Sequence, residues 1–157
     1  MTPSISGKTI ALVAHDARKP HMMQWVSKHC RQLIKHNIVC TGTTGGRILE
    51  VLTQQLGAEI ANQVNFKRLK SGPLGGDQQL GALICEGGVD FFVFFWDPMT
   101  AQPHDVDVKA LLRIATMYNI PIAMNESTAD FLIASKWFEE EYTRNLDDYS
   151  GYLNRKV

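Results

Sequence analysis

Short apolar runs recur along the chain, and each is followed by a polar or glycine-rich segment. Runs of this length, bounded by turn residues, predict β-strands. The fourth run is apolar on both alternating faces, which is typical of a strand covered by helices on both sides. Five strands are predicted in this way, over Thr9–Ala14, Ile38–Cys40, Val64–Leu69, Val89–Trp96 and Ile120–Met124.

Apolar residues at helical spacing fill the stretches between these runs. Pro20 is suited to open the first helix, because the N–H that proline lacks is not needed in the first turn. Ser127 is suited to cap the last helix. The helices are predicted from Pro20 to a stop near Asn37, from Arg47 to about Gly57, from Asp77 to about Glu86, over Val108–Tyr118, and after Ser127.

This alternation of strand and helix, repeated about five times, predicts an α/β fold. The expected architecture is an open five-stranded parallel sheet with helices on both faces, a three-layer sandwich with right-handed crossovers. No linker, internal repeat or low-complexity tract interrupts the pattern, and 157 residues suit one domain. We therefore predict a single domain over residues 1–157.

Composition and charge exclude several classes of protein. Sixteen basic residues balance sixteen acidic ones, so a general nucleic-acid binder, which usually carries a basic excess, is not favoured. Met1–Lys8 shows no charged-then-apolar leader, and no apolar run approaches the ~20 residues that cross a bilayer. Three widely spaced cysteines form no CxxC pair or zinc spacing, which indicates reduced thiols in a packed interior. A cytoplasmic protein without membrane or nucleic-acid partners is expected.

Polar motifs follow the carboxyl end of every predicted strand. In open parallel sheets the ligand crevice lies outside these ends. We therefore expect five segments to converge on one pocket, namely His15–Lys19, Thr41–Gly46, Ser71–Asp77, Asp97–Asp107 and Asn125–Thr128.

The second of these segments, Thr41–Gly46, combines three threonines with three glycines between a strand and a helix. Glycine lets the backbone approach a ligand, and the N–H groups at a helix start favour an anion, so the segment fits a phosphate cradle. It is not a Walker motif, because no Gly-Lys-Ser/Thr ends it. The alternative is a hydroxyl-capped turn.

The neighbouring segments offer partners for a phosphorylated ligand. Lys19 suits a phosphate as a point charge, unless it is simply an exposed lysine. Backbone N–H groups near Ser71 and Gly72 can complete an anion site. Asp77 is either a helix N-cap or a base that takes a proton next to a carbonyl, with His15 and His104 beside it.

The segment Asp97–Asp107 follows a predicted buried strand and contains four titratable residues, and two prolines stiffen the segment. His104 is suited to polarise a carbonyl oxygen. Asp107 either caps the following helix or serves as a second acid. No spacing here indicates a metal site, and His21, His29 and His36 are predicted to be surface or boundary residues.

Taken together, these segments resemble methylglyoxal synthases from about Ile10 to Tyr152. The resemblance rests on four motifs in order, namely Val13–Asp16 with Lys19, Thr41–Gly45, Ser71–Gln78, and Phe95–Pro98 continued by Pro103–Arg113. It implies the methylglyoxal synthase-like fold and a homohexameric, metal-free lyase without a cofactor. The implied reaction converts dihydroxyacetone phosphate to methylglyoxal and inorganic phosphate, and phosphate is implied as product and inhibitor.

The resemblance also implies roles for individual residues. Asp77 matches the carboxylate that removes the substrate proton, and His104 and Asp107 match groups near the enediol oxygens. Asp16 and Asp97 match supporting acids. The positions that match substrate-binding residues are His15, Lys19, Thr41, Gly42, Thr43, Thr44, Ser71, Gly72 and His104.

Two departures from the family pattern are visible. Arg155 matches an arginine that reaches a neighbouring subunit's site, but the tail aligns loosely and Lys156 competes for the role. The stretch Gly46–Lys70 is longer than in compact family members. Its extra length, around Gln54–Phe66, is expected to extend surface structure and leave the pocket alone.

Two other functions compete with the enzyme. The same fold serves as a ligand-sensing regulatory module, and fold alone does not decide function. Such a module needs the phosphate loops but not the set formed by Asp77, His104 and Asp107, which favours the enzyme. The remaining alternative is a structural α/β protein without a pocket.

Overall fold

A five-stranded parallel sheet forms the centre of the molecule in the computed structural model, which describes residues 7–157. The strand order is β3-β2-β1-β4-β5, and every neighbouring pair is parallel. This confirms the predicted fold class. The strands are β1 (Thr9–Ala14), β2 (Asn37–Thr41), β3 (Phe66–Leu69), β4 (Phe91–Phe95) and β5 (Ile122–Ala123).

Helices connect the strands and continue beyond the last one. Short 3₁₀ helices at Asp16–Arg18 and Gly72–Leu74 precede two of the longer helices. The α-helices are α1 (Lys19–Leu33), α2 (Gly42–Leu56), α3 (Ala58–Ala61), α4 (Gly76–Cys85), α5 (Asp105–Met117), α6 (Glu126–Ala134), α7 (Lys136–Glu139) and α8 (Ser150–Leu153).

The central strand β1 shows why both faces of the sheet are covered. Its side chains alternate between the two faces. Ile10 and Leu12 join a buried cluster with residues of α1, α2 and α6, whereas Ala11 and Val13 join a second cluster with residues of α4 and α5. Because the strand is apolar at every position from Ile10 to Ala14, each face buries a separate helical layer.

Several predicted boundaries are wrong in an instructive way. The glycine-rich segment after β2 is helical rather than a loop, because α2 already begins at Gly42. The strand β5 is shorter than predicted, since only Ile122 and Ala123 pair with β4. Asn125, not Ser127, caps α6: its Oδ1 accepts from the backbone N–H of Thr128 at 3.0 Å.

Two predictions about burial also need correction. Cys30 and Cys40 are buried as expected, but Cys85 is exposed because it ends α4 on the outer surface. His36, predicted to be a surface or boundary residue, is buried, and its Nδ1 accepts from the backbone N–H of Lys8 at 3.2 Å.

Two findings concern the membrane and the amino terminus. Between residues 7 and 157, no helix has the length and apolar character that a membrane span needs. The first six residues, which belong to the stretch where the sequence shows no leader, lie outside the described residues.

Candidate active site

A cavity of about 260 Å³ opens at the carboxyl end of the sheet. Four of the five predicted segments converge on it, those that follow β1, β2, β3 and β4. The fifth does not, because Asn125 and Ser127 line a different cavity beside Trp96. The walls are formed by Val13, Ala14, His15, Asp16, Lys19, Thr41, Gly42, Thr43, Thr44, Ser71, Gly72, Pro73, Asp77, Gln102 and His104.

Lys19 supplies a fixed positive charge to this cavity. Its Nζ donates to Oγ1 of Thr43 and to Oδ1 of Asp16, both at 2.6 Å. The Lys19 side chain is only 13% exposed, whereas that of Asp16 is 96% exposed. The hydrogen bond and charge of Lys19 lower the pKa of Asp16. The alternative that Lys19 is a freely solvated lysine is therefore wrong.

A close contact between the loops after β2 and β3 brings their backbones together. Gly42 has a φ of +49°, and a Cβ at this position would lie 2.8 Å from Cα of Ser71. Only glycine tolerates both the conformation and the approach. The contact places the N-terminus of α2 beside Ser71 and Gly72. The N–H of Gly42 donates to the carbonyl of Lys70 at 3.2 Å, whereas the next N–H groups of the first turn have no carbonyl within the helix to donate to, which is an arrangement suited to an anion.

Asp77 is a buried carboxylate rather than a helix cap. It is the second residue of α4, whose N-cap position is Gly75 and whose cap makes no side-chain hydrogen bond. Its side chain is 5% exposed, and within the described part of the chain its Oδ2 has no hydrogen-bond partner. The Nε2 of His104 lies 3.5 Å from that oxygen.

The surroundings of Asp77 favour proton uptake. Burial raises the pKa of Asp77, the positive charge of His104 opposes this shift, and the negative charge of Asp107 adds to it. A carboxylate whose pKa is raised towards the working pH is a more effective general base than an ordinary surface aspartate. Asp77 therefore has the burial and the free oxygen that a catalytic base needs.

His15 is held in one tautomer by the backbone. The N–H of Asp97 donates to Nδ1 of His15 at 3.1 Å, so the neutral ring carries its proton on Nε2. Burial lowers the pKa of His15, and the nearby charge of His104 lowers it further. The two imidazole rings meet edge to face at 5.8 Å between centroids. A neutral His15 thus offers a hydrogen-bond donor next to His104.

Three predicted site residues do not line the cavity. Asp97 lies behind His15, and its Oδ1 accepts from the N–H of Met99 at 3.0 Å, which lowers the pKa of Asp97. Asp107 does not cap a helix at Val108, since it is the third residue of α5. Its link to the site is electrostatic, through Asp77.

The third residue outside the cavity is Arg155. It is exposed near the carboxyl end, where its Nη1 donates to the carbonyl of Tyr152 at 2.7 Å and its guanidinium covers the Tyr152 ring at 3.6 Å. Its competitor Lys156 is exposed as well. Neither residue is among those that line the cavity of its own chain.

Two residues near the cavity were not singled out from the sequence. Gln102 lines the wall between the prolines of the β4–α5 loop, and only its position in that segment hinted at this. Arg68 of β3 stands outside the cavity, and its Nε donates to the carbonyl of Gly42 at 2.8 Å. No member of Gln54–Phe66 lines the cavity, in keeping with the expectation for the extra length.

The cavity therefore combines two kinds of chemistry. Lys19, the threonine hydroxyls and the helix start can bind a phosphate, while Asp77, His104 and His15 can move a proton next to a carbonyl group. Among residues 7–157, no group of three or more His, Cys, Asp or Glu side chains is placed to hold a metal ion.

Known proteins resemble this chain in sequence and in fold. Residues 21–124 match the family model described as MGS-like domain. The methylglyoxal synthase of Maridesulfovibrio salexigens is 52% identical over 153 residues, covering 96% of this chain and 98% of that protein. The methylglyoxal synthase of Pseudoalteromonas atlantica is 53% identical over 143 residues, covering 90% and 98%. The crystal structure of methylglyoxal synthase from Elizabethkingia anophelis superposes with a TM-score of 0.82 at 49% identity, covering 96% of this chain and 93% of that one.

Proposed function

The chain belongs to the methylglyoxal synthase family, whose reaction converts dihydroxyacetone phosphate to methylglyoxal and inorganic phosphate, and we propose that the 260 Å³ cavity is where this chain carries it out. The observation that carries the proposal is the buried carboxylate of Asp77, with an unpaired oxygen, in the same cavity as Lys19 and the threonine-rich helix start. The shared name of the relatives is that of an enzyme, which favours this function over the ligand-sensing module.

The phosphate of the substrate is held at the start of α2. Lys19 is already oriented by Thr43 and Asp16, so little conformational entropy is lost when the ligand binds. The hydroxyls of Thr41, Thr43 and Thr44 and the free backbone N–H groups complete the site, together with the backbone at Ser71 and Gly72.

Asp77 removes a proton from the hydroxymethyl carbon beside the ketone. The electrons move onto the carbonyl oxygen, and the resulting enediolate is stabilised by hydrogen bonds from His104 and from Nε2–H of the neutral His15. The hydroxyl on the deprotonated carbon then loses its proton to the departing phosphate and becomes the aldehyde carbonyl. The double bond shifts to the former phosphate-bearing carbon as phosphate leaves with the electrons of its C–O bond. The resulting enolate takes up a proton at that carbon, which gives methylglyoxal. Asp107 acts from outside the cavity by raising the proton affinity of Asp77.

The test measures both products from one incubation. Purified protein is given dihydroxyacetone phosphate, and methylglyoxal and inorganic phosphate are quantified together; equal amounts are expected. Asp77→Asn should lower kcat by about 10²- to 10⁴-fold, which is the usual contribution of a general base, while phosphate still binds. Glu59→Gln, which removes an exposed carboxylate outside the cavity, serves as the control. Absence of phosphate release by the unaltered protein would contradict the function.

The same proposal includes a homohexamer and inhibition by inorganic phosphate. Phosphate carries the group that the cavity binds in the substrate, so it should compete with the substrate. Arg155 stands outside its own chain's cavity, which is consistent with a role in a neighbouring subunit. Light scattering should give a hexamer mass, and Arg155→Ala should impair turnover more than Lys156→Ala does. Location in the cytoplasm stays a prediction from the sequence.

A further inference from the structure

Arg68 contacts the start of α2, which is the proposed phosphate-binding segment. Its Nε donates to the carbonyl oxygen of Gly42 at 2.8 Å, yet Arg68 is not among the residues that line the cavity. Within the described residues no carboxylate lies within 4.0 Å of its guanidinium. The side chain is thus fastened to the loop and carries a charge without an ion-pair partner there.

Two glycines make room for this side chain. A Cβ at Gly45 would lie 3.2 Å from Cγ of Arg68, and a Cβ at Gly46 would lie 3.2 Å from its Nη2. Both distances are shorter than ordinary van der Waals contact. Arg68 therefore packs along the first turn of α2 on the side where that turn carries no side chains.

The hydrogen bond to Gly42 fixes the orientation of a peptide group that belongs to the cavity wall. The Gly42–Thr43 peptide is trans, so its C=O and N–H point in opposite directions. Arg68 holds the C=O from outside the cavity, and the N–H of Thr43, at the second position of α2, has no carbonyl within the helix to donate to. This N–H is consequently free to donate to an anion.

We propose that Arg68 is a positioning residue for phosphate: it locks the Gly42–Thr43 peptide with its N–H towards the bound phosphate and adds a positive charge behind the loop. The inference rests on the proposed function. A cation beside a helix N-terminus is unfavourable on its own, and a bound phosphate dianion reverses the sign of that interaction. Arg68 therefore supports binding of the phosphate group in substrate, transition state and product alike.

The experiment compares Arg68→Met with Lys67→Met. Lys67 is the preceding residue of the same strand and is also exposed, and its replacement by methionine removes the same charge and a similar length of side chain. Arg68→Met should raise KM for dihydroxyacetone phosphate and the inhibition constant of inorganic phosphate together, by about three- to tenfold, with kcat within twofold. Lys67→Met should change none of these constants. Arg68→Lys, which keeps the charge and a donor, should recover part of the loss.

Calorimetric titration with inorganic phosphate gives a readout that does not depend on turnover. If the protein bound phosphate but made no methylglyoxal, the proposed function would fail, and the Arg68 inference would be decided by the binding constants alone. Unchanged phosphate affinity in Arg68→Met, or an equal loss in Lys67→Met, would overturn the inference. So would a fall in kcat with KM unaltered. Thermal unfolding of each variant checks that the fold is retained.

Discussion

Replacing Gly72 by alanine introduces one methyl group beside Asp77 and His104, the two side chains proposed to be catalytic. Its Cβ would lie 2.9 Å from Nε2 of His104 and 3.1 Å from Oδ1 of Asp77. The backbone of Gly72 does not lie in the left-handed region, so alanine causes no conformational strain. The perturbation is therefore confined to the space that the base and the imidazole share.

The size of the effect follows from these distances. Ordinary contact begins near 3.4 Å, so His104 has to withdraw by about half an ångström, as does Asp77 to a smaller extent. Both side chains are less than a tenth exposed, and a packed interior leaves them few alternative positions. A misplacement of ~1 Å can cost ~10²-fold in rate, and we expect kcat to fall about 10- to 100-fold.

The assay is steady-state release of phosphate and methylglyoxal, with KM, kcat and thermal unfolding measured on the same preparation. KM should change less than kcat, because the proposed contacts of Lys19 and Thr43 with the phosphate are not affected. Gly81→Ala is the matched control: Gly81 lies in α4, and its nearest neighbour to an added Cβ is 4.0 Å away. It should retain activity and gain ~0.5–1 kcal/mol in stability, the usual preference for alanine over glycine in a helix.

A Gly72→Ala variant with the kcat of the unaltered enzyme would refute this reasoning, because it would mean that the separation of Asp77 and His104 is not critical. Loss of activity in Gly81→Ala as well would point to a general effect on the α4 region instead. A crystal structure of Gly72→Ala, with the His104 ring displaced, would connect the kinetic loss to its geometric cause.

Three further predictions concern stability. Asp77→Asn should raise the unfolding free energy at pH 7 by about 1 kcal/mol, since a buried carboxylate with an unpaired oxygen is costly. The pKa of Asp77 in the folded state is raised above 3.8, so below pH 3.8 the carboxyl is protonated in both states, and denaturant titrations there should show no gain. Asn125→Ala should cost ~1 kcal/mol by losing the cap of α6, whereas Ser127→Ala should be nearly neutral in thermal melts. Burial lowers the pKa of His36 below 6.5, so the unfolding free energy should fall as the pH drops from 6.5 through the folded-state pKa. His36→Asn should lose less stability over this range, and identical pH dependence of the two proteins would contradict the prediction.

Local patterns were sufficient for the order of elements. The continuous apolar runs of β1 and β4 follow from burial on both faces of the sheet, and this requirement is visible in the residues themselves. The position of polar motifs after strands also predicted most of the cavity, because parallel strands bring their carboxyl ends to one edge. The cap assignment failed at Ser127, because Asn125 caps α6 instead, and the cap alternative for Asp77 was wrong. Several polar residues near a helix start compete, and local packing selects one.

Contacts between distant parts of the chain required the tertiary structure. In the sheet, β2 and β3 are added on one side of β1, and β4 and β5 are added on its other side, so the strand order reverses at β1. The segments after β1, β2, β3 and β4 line the cavity, and the one after β3 does so although β3 is an edge strand. The segment after β5, at the opposite edge, lies beside a different cavity.

The sequence by itself determined the α/β class, the strand-end location of the chemistry and the resemblance to methylglyoxal synthases, because these depend on residue types and on their spacing along the chain. The extent of one domain over residues 1–157 stays a prediction. Only the tertiary structure decided that Nε2 of His104 lies 3.5 Å from Asp77 and that Arg68 holds the Gly42 carbonyl. Such distances between separate segments depend on strand order and side-chain packing, which no local pattern encodes.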